Sequence, residues 1–125
     1  RNSKDNCLSL YKNLFEGGLN FSYDQKELGT YYNLYSDLME FWKNFSPNLF
    51  YEAVYENIVN NQEEESKKII GFCGLTWDPE CLNFHQNKSP IKTMSTAQAR
   101  QPIYKNSMKS YEKFSNFLVT LNKII

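Results

Sequence analysis

Leu49-Phe50-Tyr51-Glu52-Ala53-Val54-Tyr55 is the one run in the chain that reads as a β-strand. It is short, crowded with aromatic and aliphatic side chains, and set off by the turn signal Ser46-Pro47-Asn48. Such a composition suits a pleated, buried surface. A single strand leaves its backbone N–H and C=O groups unpaired, so it needs sheet partners. The chain opens on Arg1 rather than Met, inside what reads as a motif. Both features fit an excerpt of an α/β domain, with the other parallel strands expected upstream.

Around that run the pattern is helical. Leu8, Tyr11, Leu14 and Phe15 recur at helical spacing and predict a helix over residues 4–16, stopped by Gly17-Gly18. Ser22 or Asp24 can cap the next helix. That helix carries Leu28, Tyr31, Tyr32, Tyr35, Leu38, Met39, Trp42 and Phe45 on one stripe, expected to pack into the core. A third helix is expected over residues 61–73, with its buried end at Ile69, Ile70, Phe72 and Cys73 and its stop at Gly74. Glu63-Glu64-Glu65 falls in its first turns, where the helix dipole favours acid, and reads as a solvated face. Trp77-Asp78-Pro79 builds a turn, followed by a short helix near residues 80–85. Residues 87–105 read as irregular. A last helix is expected from Ser107 towards Leu121, with Tyr111, Phe114, Phe117, Leu118 and Leu121 on its apolar face.

Composition narrows the function classes. In 125 residues there is room for one domain, and 41% hydrophobic residues suffice for a core. With 14 basic and 14 acidic residues the net charge is zero, so no overall field attracts nucleic acid or an anionic membrane. No apolar run approaches the roughly 20 residues of a membrane span. Cys7, Cys73 and Cys81 are odd in number, suggest no disulfide framework and point to a reducing, cytoplasmic compartment. Cys73, Cys81 and His85 match no common zinc spacing, and no metal is expected.

Two segments are richer in chemistry than packing requires. In Arg1-Asn-Ser-Lys-Asp5-Asn-Cys-Leu-Ser9 a guanidinium precedes a helix and a hydroxyl lies two turns into it. A planar charged fork and a neutral donor converging on one point suit a phosphate group. In Met94-Ser95-Thr96-Ala97-Gln98-Ala99-Arg100-Gln101-Pro102-Ile103-Tyr104 hydroxyl, amide and guanidinium groups crowd one loop. Such a loop can wrap a phosphorylated nucleotide with backbone N–H groups as well as side chains.

These motifs, in this order, resemble the sulfotransferase family. The likeness is to the branch holding tyrosylprotein sulfotransferases and the bacterial sulfotransferases fused to tetratricopeptide repeats. Arg1-Asn2, Asp5 and Ser9 resemble the family's 3'-phosphate motif. Leu28-Gly29, Tyr31-Tyr32, Leu38-Met39 and Trp42 are similar to the long helix that follows it. Val54-Tyr55-Glu56-Asn57-Ile58-Val59 resembles the family's strand end. Phe72-Cys73-Gly74-Leu75-Thr76-Trp77-Asp78-Pro79 resembles its Leu-Gly-Leu-Pro-Trp turn, and residues 95–104 resemble its late nucleotide loop.

The resemblance implies a fold and a chemistry. The fold is the carboxyl-terminal, mostly helical part of a P-loop-like, three-layer α/β sulfotransferase domain spanning residues 1–125, with one parallel strand at about 49–55. The reaction is in-line transfer of a sulfuryl group from 3'-phosphoadenosine 5'-phosphosulfate to an acceptor hydroxyl, with protein tyrosine among the candidates and no metal. Arg1 and Ser9 would hold the 3'-phosphate, and Tyr55 would lie beside the nucleotide. Ser95, Thr96, Gln98, Arg100, Gln101, Pro102, Ile103 and Tyr104 would close over it. Ser95 would also stabilise charge on the transferring group. Ser107 and Lys109 match the family only loosely, as further approaches to phosphate. The phosphosulfate loop and the general base would lie upstream of Arg1, so the 125 residues alone are expected to be inactive. Upstream tetratricopeptide repeats in the same chain are a possible companion. Residues 41–55 hold no cysteine, unlike the secretory tyrosylprotein enzymes, which favours the bacterial, cytoplasmic branch. Gln101 stands where the tyrosylprotein branch has Lys before the late Pro. The alternatives are a helical interaction module on a degenerate scaffold and a related P-loop kinase. The kinase is disfavoured because ATP has no ribose 3'-phosphate for Arg1 and Ser9.

Overall fold

The computed structural model describes residues 1–15, 17–90 and 99–125. The α-helices bounded wholly within the described residues are labelled α1 (Ser3–Lys12), α2 (Gln25–Phe45), α3 (Tyr55–Asn60), α4 (Gln62–Phe72) and α5 (Val119–Ile124). Three 3-10 helices, Asn20–Tyr23, Pro79–Gln86 and Ser110–Phe114, lie between them. The chain divides into two compact units, residues 1–50 with 106–125, and residues 51–105.

No strand forms among the described residues, which overturns the expected α/β fold and its parallel strand at 49–55. Residues 51–54 have no regular structure, and Tyr55, expected at the strand's end, opens α3. The cause is hydrogen-bond supply. No second extended segment among the described residues offers a ladder, so the backbone closes on itself. The amides of Asn57 and Ile58 each donate to the Val54 carbonyl at 3.1 Å, and Asn61 donates to Asn57 at 2.8 Å.

In the first unit Asn2 caps α1, its side chain accepting from the amides of Lys4 and Asp5. Asp24, not Ser22, caps α2, accepting from Lys26 and Glu27. Cys7, Leu8, Leu28, Leu118 and Leu121 form the buried core, flanked by Leu10, Phe21, Tyr32, Tyr111 and Ile125. Gly29 lets α5 approach α2 closely. A Cβ there would meet Ile124 Cγ2 at 2.9 Å and Leu121 Cδ1 at 3.3 Å.

The α2 stripe does not pack as its periodicity suggests. Leu28 is buried, but Tyr31, Tyr35, Leu38, Trp42 and Phe45 stay 42–68% exposed. Length explains this. The 21 residues of α2 run about 30 Å, whereas the 10 residues of α1 cover about 15 Å, so α2 overshoots its neighbours. Beyond them Phe41 stacks on Phe45 and Trp42 meets both rings edge-on, with centroids 5.3–5.8 Å apart.

The expected single C-terminal helix is also broken. Residues 107–109 form a turn, Ser110–Phe114 is a 3-10 helix, and α5 begins at Val119. Lys109 takes a left-handed backbone, φ 56°, which cannot continue an α-helix.

In the second unit the helix expected over 61–73 appears as α4, separated from α3 by a bend at Asn61. Gly74, φ 70°, follows it as anticipated. The acidic turn is solvated at Glu63 and Glu64, whereas the Glu65 side chain is only 12% exposed. Lys67 pairs with Glu63 at 2.6 Å, and Lys68 with Glu65 at 2.7 Å and Glu64 at 3.3 Å. Glu65, and after it Glu64, push the Lys68 pKa up. The expected buried end is wrong for Phe72 and Cys73, which are exposed. Val59 is the buried apolar side chain of this unit among the described residues. Asp78 caps Pro79–Gln86, and the Lys67 ammonium lies 5.5 Å from the Trp77 ring centre.

Candidate functional site

Arg1 and Ser9 belong to the first unit. Arg1 lies two residues ahead of α1, and its Nη2 donates to the Ser107 carbonyl at 3.0 Å. Ser9 sits in the second turn of α1, half-buried, one helical step (i, i+4) from Asp5 and so on the same face. The Asp5 carboxylate is only 2% exposed. Its Oδ2 accepts from the Lys109 amide at 2.6 Å and its Oδ1 from the Tyr111 amide at 2.9 Å. The Lys4 ammonium stands 5.8 Å from the centre of the Tyr111 ring. The start of α1 is thereby stitched to residues 107–111 by one guanidinium, one carboxylate and one cation–π contact.

Sequence reasoning quoted Asp5 within the motif but gave it no role. The signal was present: Asp5 lies three residues before Leu8, a charge on the apolar stripe of α1. A carboxylate there must find donors when it is buried. Ser107 and Lys109, matched only loosely by the sequence, are the backbone groups that Arg1 and Asp5 hold.

Tyr55, Arg100, Gln101, Pro102, Ile103 and Tyr104 belong to the second unit. Tyr55 is the first residue of α3 and is half-buried. The Arg100 guanidinium donates through Nη2 to the Ser89 carbonyl, so it ties together two points eleven residues apart. Ile103 and Tyr104 are half-buried, while Gln101 and Pro102 are exposed. Ser95, Thr96 and Gln98 lie outside the described residues. Among the described residues no three His, Cys, Asp or Glu side chains cluster as metal ligands. No helix among them is long and apolar enough to cross a membrane.

A family model described as the sulfotransferase family matches residues 1–79, more than half of the chain. This chain belongs to the sulfotransferase family. The match takes in Arg1, Asp5, Ser9 and Tyr55 and ends before Arg100. An uncharacterized protein of Aquifex aeolicus (strain VF5) is 29% identical to this chain over 128 residues. The alignment covers 100% of this chain and 17% of that relative, so the chain spans about a sixth of the relative's length. No solved structure matches the chain.

Proposed function

We propose that this chain supplies donor-nucleotide contacts to a sulfotransferase that uses 3'-phosphoadenosine 5'-phosphosulfate and passes its sulfuryl group to an acceptor hydroxyl. Family membership supports the reaction class. The observation that carries the donor assignment is Arg1, a guanidinium fixed at the amino end of α1 by the Ser107 carbonyl. Arg1 supplies charge and a planar set of donors for the 3'-phosphate, and Ser9 a neutral hydroxyl. Tyr55 would flank the nucleotide, and residues 95–104 would contribute backbone and side-chain donors to it, Ser95 nearest the transferring group. The chemistry is in-line displacement at sulfur, with a general base accepting the acceptor's proton as the new O–S bond forms and the donor's phosphate–sulfate bridge breaks. Neither that base nor the phosphosulfate loop is placed in these 125 residues, and the isolated chain should not turn over. A cytoplasmic setting belongs to the same reading, supported by Cys7, which serves as a core side chain.

A second reading has one observation in its favour. The exposed aromatic stripe of α2 suits a helical interaction module that kept the scaffold and lost the chemistry. Titration of the full-length polypeptide with 3'-phosphoadenosine 5'-phosphate separates the two. The sulfotransferase reading expects saturable binding, weakened about 10- to 150-fold in Arg1→Ala by loss of a charge-assisted contact. Absence of binding by the unaltered protein would favour the module.

A further inference from the structure

The geometry points to Asp5 as a positioning residue of the donor-nucleotide site, acting through residues 107–111 on the orientation of Arg1. The inference rests on the donor reading above and adds to it a residue that touches no ligand.

Asp5 is buried, yet its partners are backbone amides more than a hundred residues away in sequence, Lys109 at 2.6 Å and Tyr111 at 2.9 Å. Packing alone does not call for this. A buried carboxylate loses its hydration, and an apolar side chain of similar size avoids that loss. What a carboxylate does that an apolar group cannot is fix two specific N–H groups in direction and distance. The two amides it holds bracket a strained stretch. Lys109 is the one non-glycine residue with positive φ among the described residues, at 56°. Such a backbone persists where its surroundings over-determine it, and it is found disproportionately at functional sites.

The strained turn leads directly to Arg1. Two residues before Lys109, the Ser107 carbonyl accepts from Arg1 Nη2 at 3.0 Å. Asp5 sets the turn, the turn sets the Ser107 carbonyl, and that carbonyl orients the guanidinium. Ser9 lies on the Asp5 face of α1 and is carried by that helix itself, so its position does not depend on the turn. Removing the carboxylate should therefore weaken recognition of a 3'-phosphate specifically.

The test is calorimetric titration of the full-length polypeptide, at a temperature where each variant is folded. The probes are 3'-phosphoadenosine 5'-phosphate and adenosine 5'-phosphate, which lacks the 3'-phosphate. Asp5→Asn should lower affinity for the first about tenfold and leave the second unchanged. Combined with Arg1→Ala it should cost nothing further, because Asp5 acts through Arg1. If Asp5→Asn does not fold, Asp5→Glu, which keeps the charge but shifts it by one methylene, should show the same pattern. Undiminished affinity for the bisphosphate, equal losses for both nucleotides, or losses that add to those of Arg1→Ala would each overturn the role of Asp5 while leaving the donor reading intact. Failure of the unaltered protein to bind would remove the donor reading and this inference with it.

Discussion

Gln25 bears on how the C-terminal helix is held, and replacing it should loosen α5 measurably. Its Nε2 donates to the Phe117 carbonyl at 2.9 Å, and its Oε1 accepts from the Leu121 amide at 3.2 Å. Leu121 is the third residue of α5, whose own N-cap, Leu118, has no side-chain acceptor. A helix start leaves its first amides unpaired, and here Gln25, from the start of α2, satisfies one of them. In Gln25→Ala both bonds go, and a half-buried amide and an exposed carbonyl lose their partners. At about 0.5–1.5 kcal/mol per bond the expected loss is about 1–3 kcal/mol.

Hydrogen exchange at Leu121 reads this directly, since that amide is itself the donor. Exchange should accelerate about 5- to 150-fold, matching the loss above, while amides early in α1 change little. Gln25→Glu sharpens the argument. Its carboxylate still accepts from Leu121, and negative charge is favourable at a helix start. It has no proton to give the Phe117 carbonyl, so at neutral pH part of the protection should be lost. Acidification through the ordinary glutamate range, about pH 4.3, returns a donor and should restore it. Unaltered Leu121 exchange in Gln25→Ala would refute the capping role and leave Leu118 and Leu121 packing as what holds α5.

Further outcomes follow from the core. Burial pushes the Cys7 thiol from 9.0 up to about 11, so at pH 8 a thiol reagent should modify exposed Cys73 quickly and Cys7 only on unfolding; comparable rates would place Cys7 outside the core. Because the folded value is the raised one, the thiol's contribution to stability is whole below pH 9.0 and falls as pH climbs towards about 11, and the unfolding midpoint should fall with it in a way that Cys7→Ala abolishes. Gly29→Val should destabilise by about 1–3 kcal/mol through overpacking against Ile124. Gly29→Ala should also destabilise, since its Cβ alone would meet Ile124 Cγ2 at 2.9 Å and Ile124 Cβ at 3.1 Å, but by less than Gly29→Val because helix propensity returns about 1 kcal/mol, as chemical denaturation would show.

Much of the helical skeleton was legible because its signals are local. Asp24 ahead of α2, Gly74 after α4, and Asp78-Pro79 at the 3-10 helix each act within a few residues, and each does so in the structure. What was illegible depends on partners. Leu49 to Tyr55 has strand composition, but composition expresses a fit to a sheet and does not create one. The α2 stripe has helical periodicity, and periodicity says which side chains share a face without saying how far the neighbouring helices reach along it. Ser107 to Leu121 has an apolar face at helical spacing, and the break at Lys109 arises from a carboxylate in α1 that no window around Lys109 contains.

The same division runs through the site. Arg1 and Ser9 stood out because charge and hydroxyl at that spacing are what a phosphate needs, and that logic is contained in nine residues. Asp5, between them, was silent because its meaning lies in two amides on the far end of the chain. A motif read from sequence therefore names the groups that touch a ligand more readily than the groups that aim them. On the proposal above the aiming group is a buried acid, and its exposure of 2% distinguishes Asp5 from a solvated charge on a helix start. If Asp5 only lent its helix a favourable first-turn charge, it would have no reason to be buried or to reach Lys109 and Tyr111. The burial and the two amide bonds together are what separate positioning from capping.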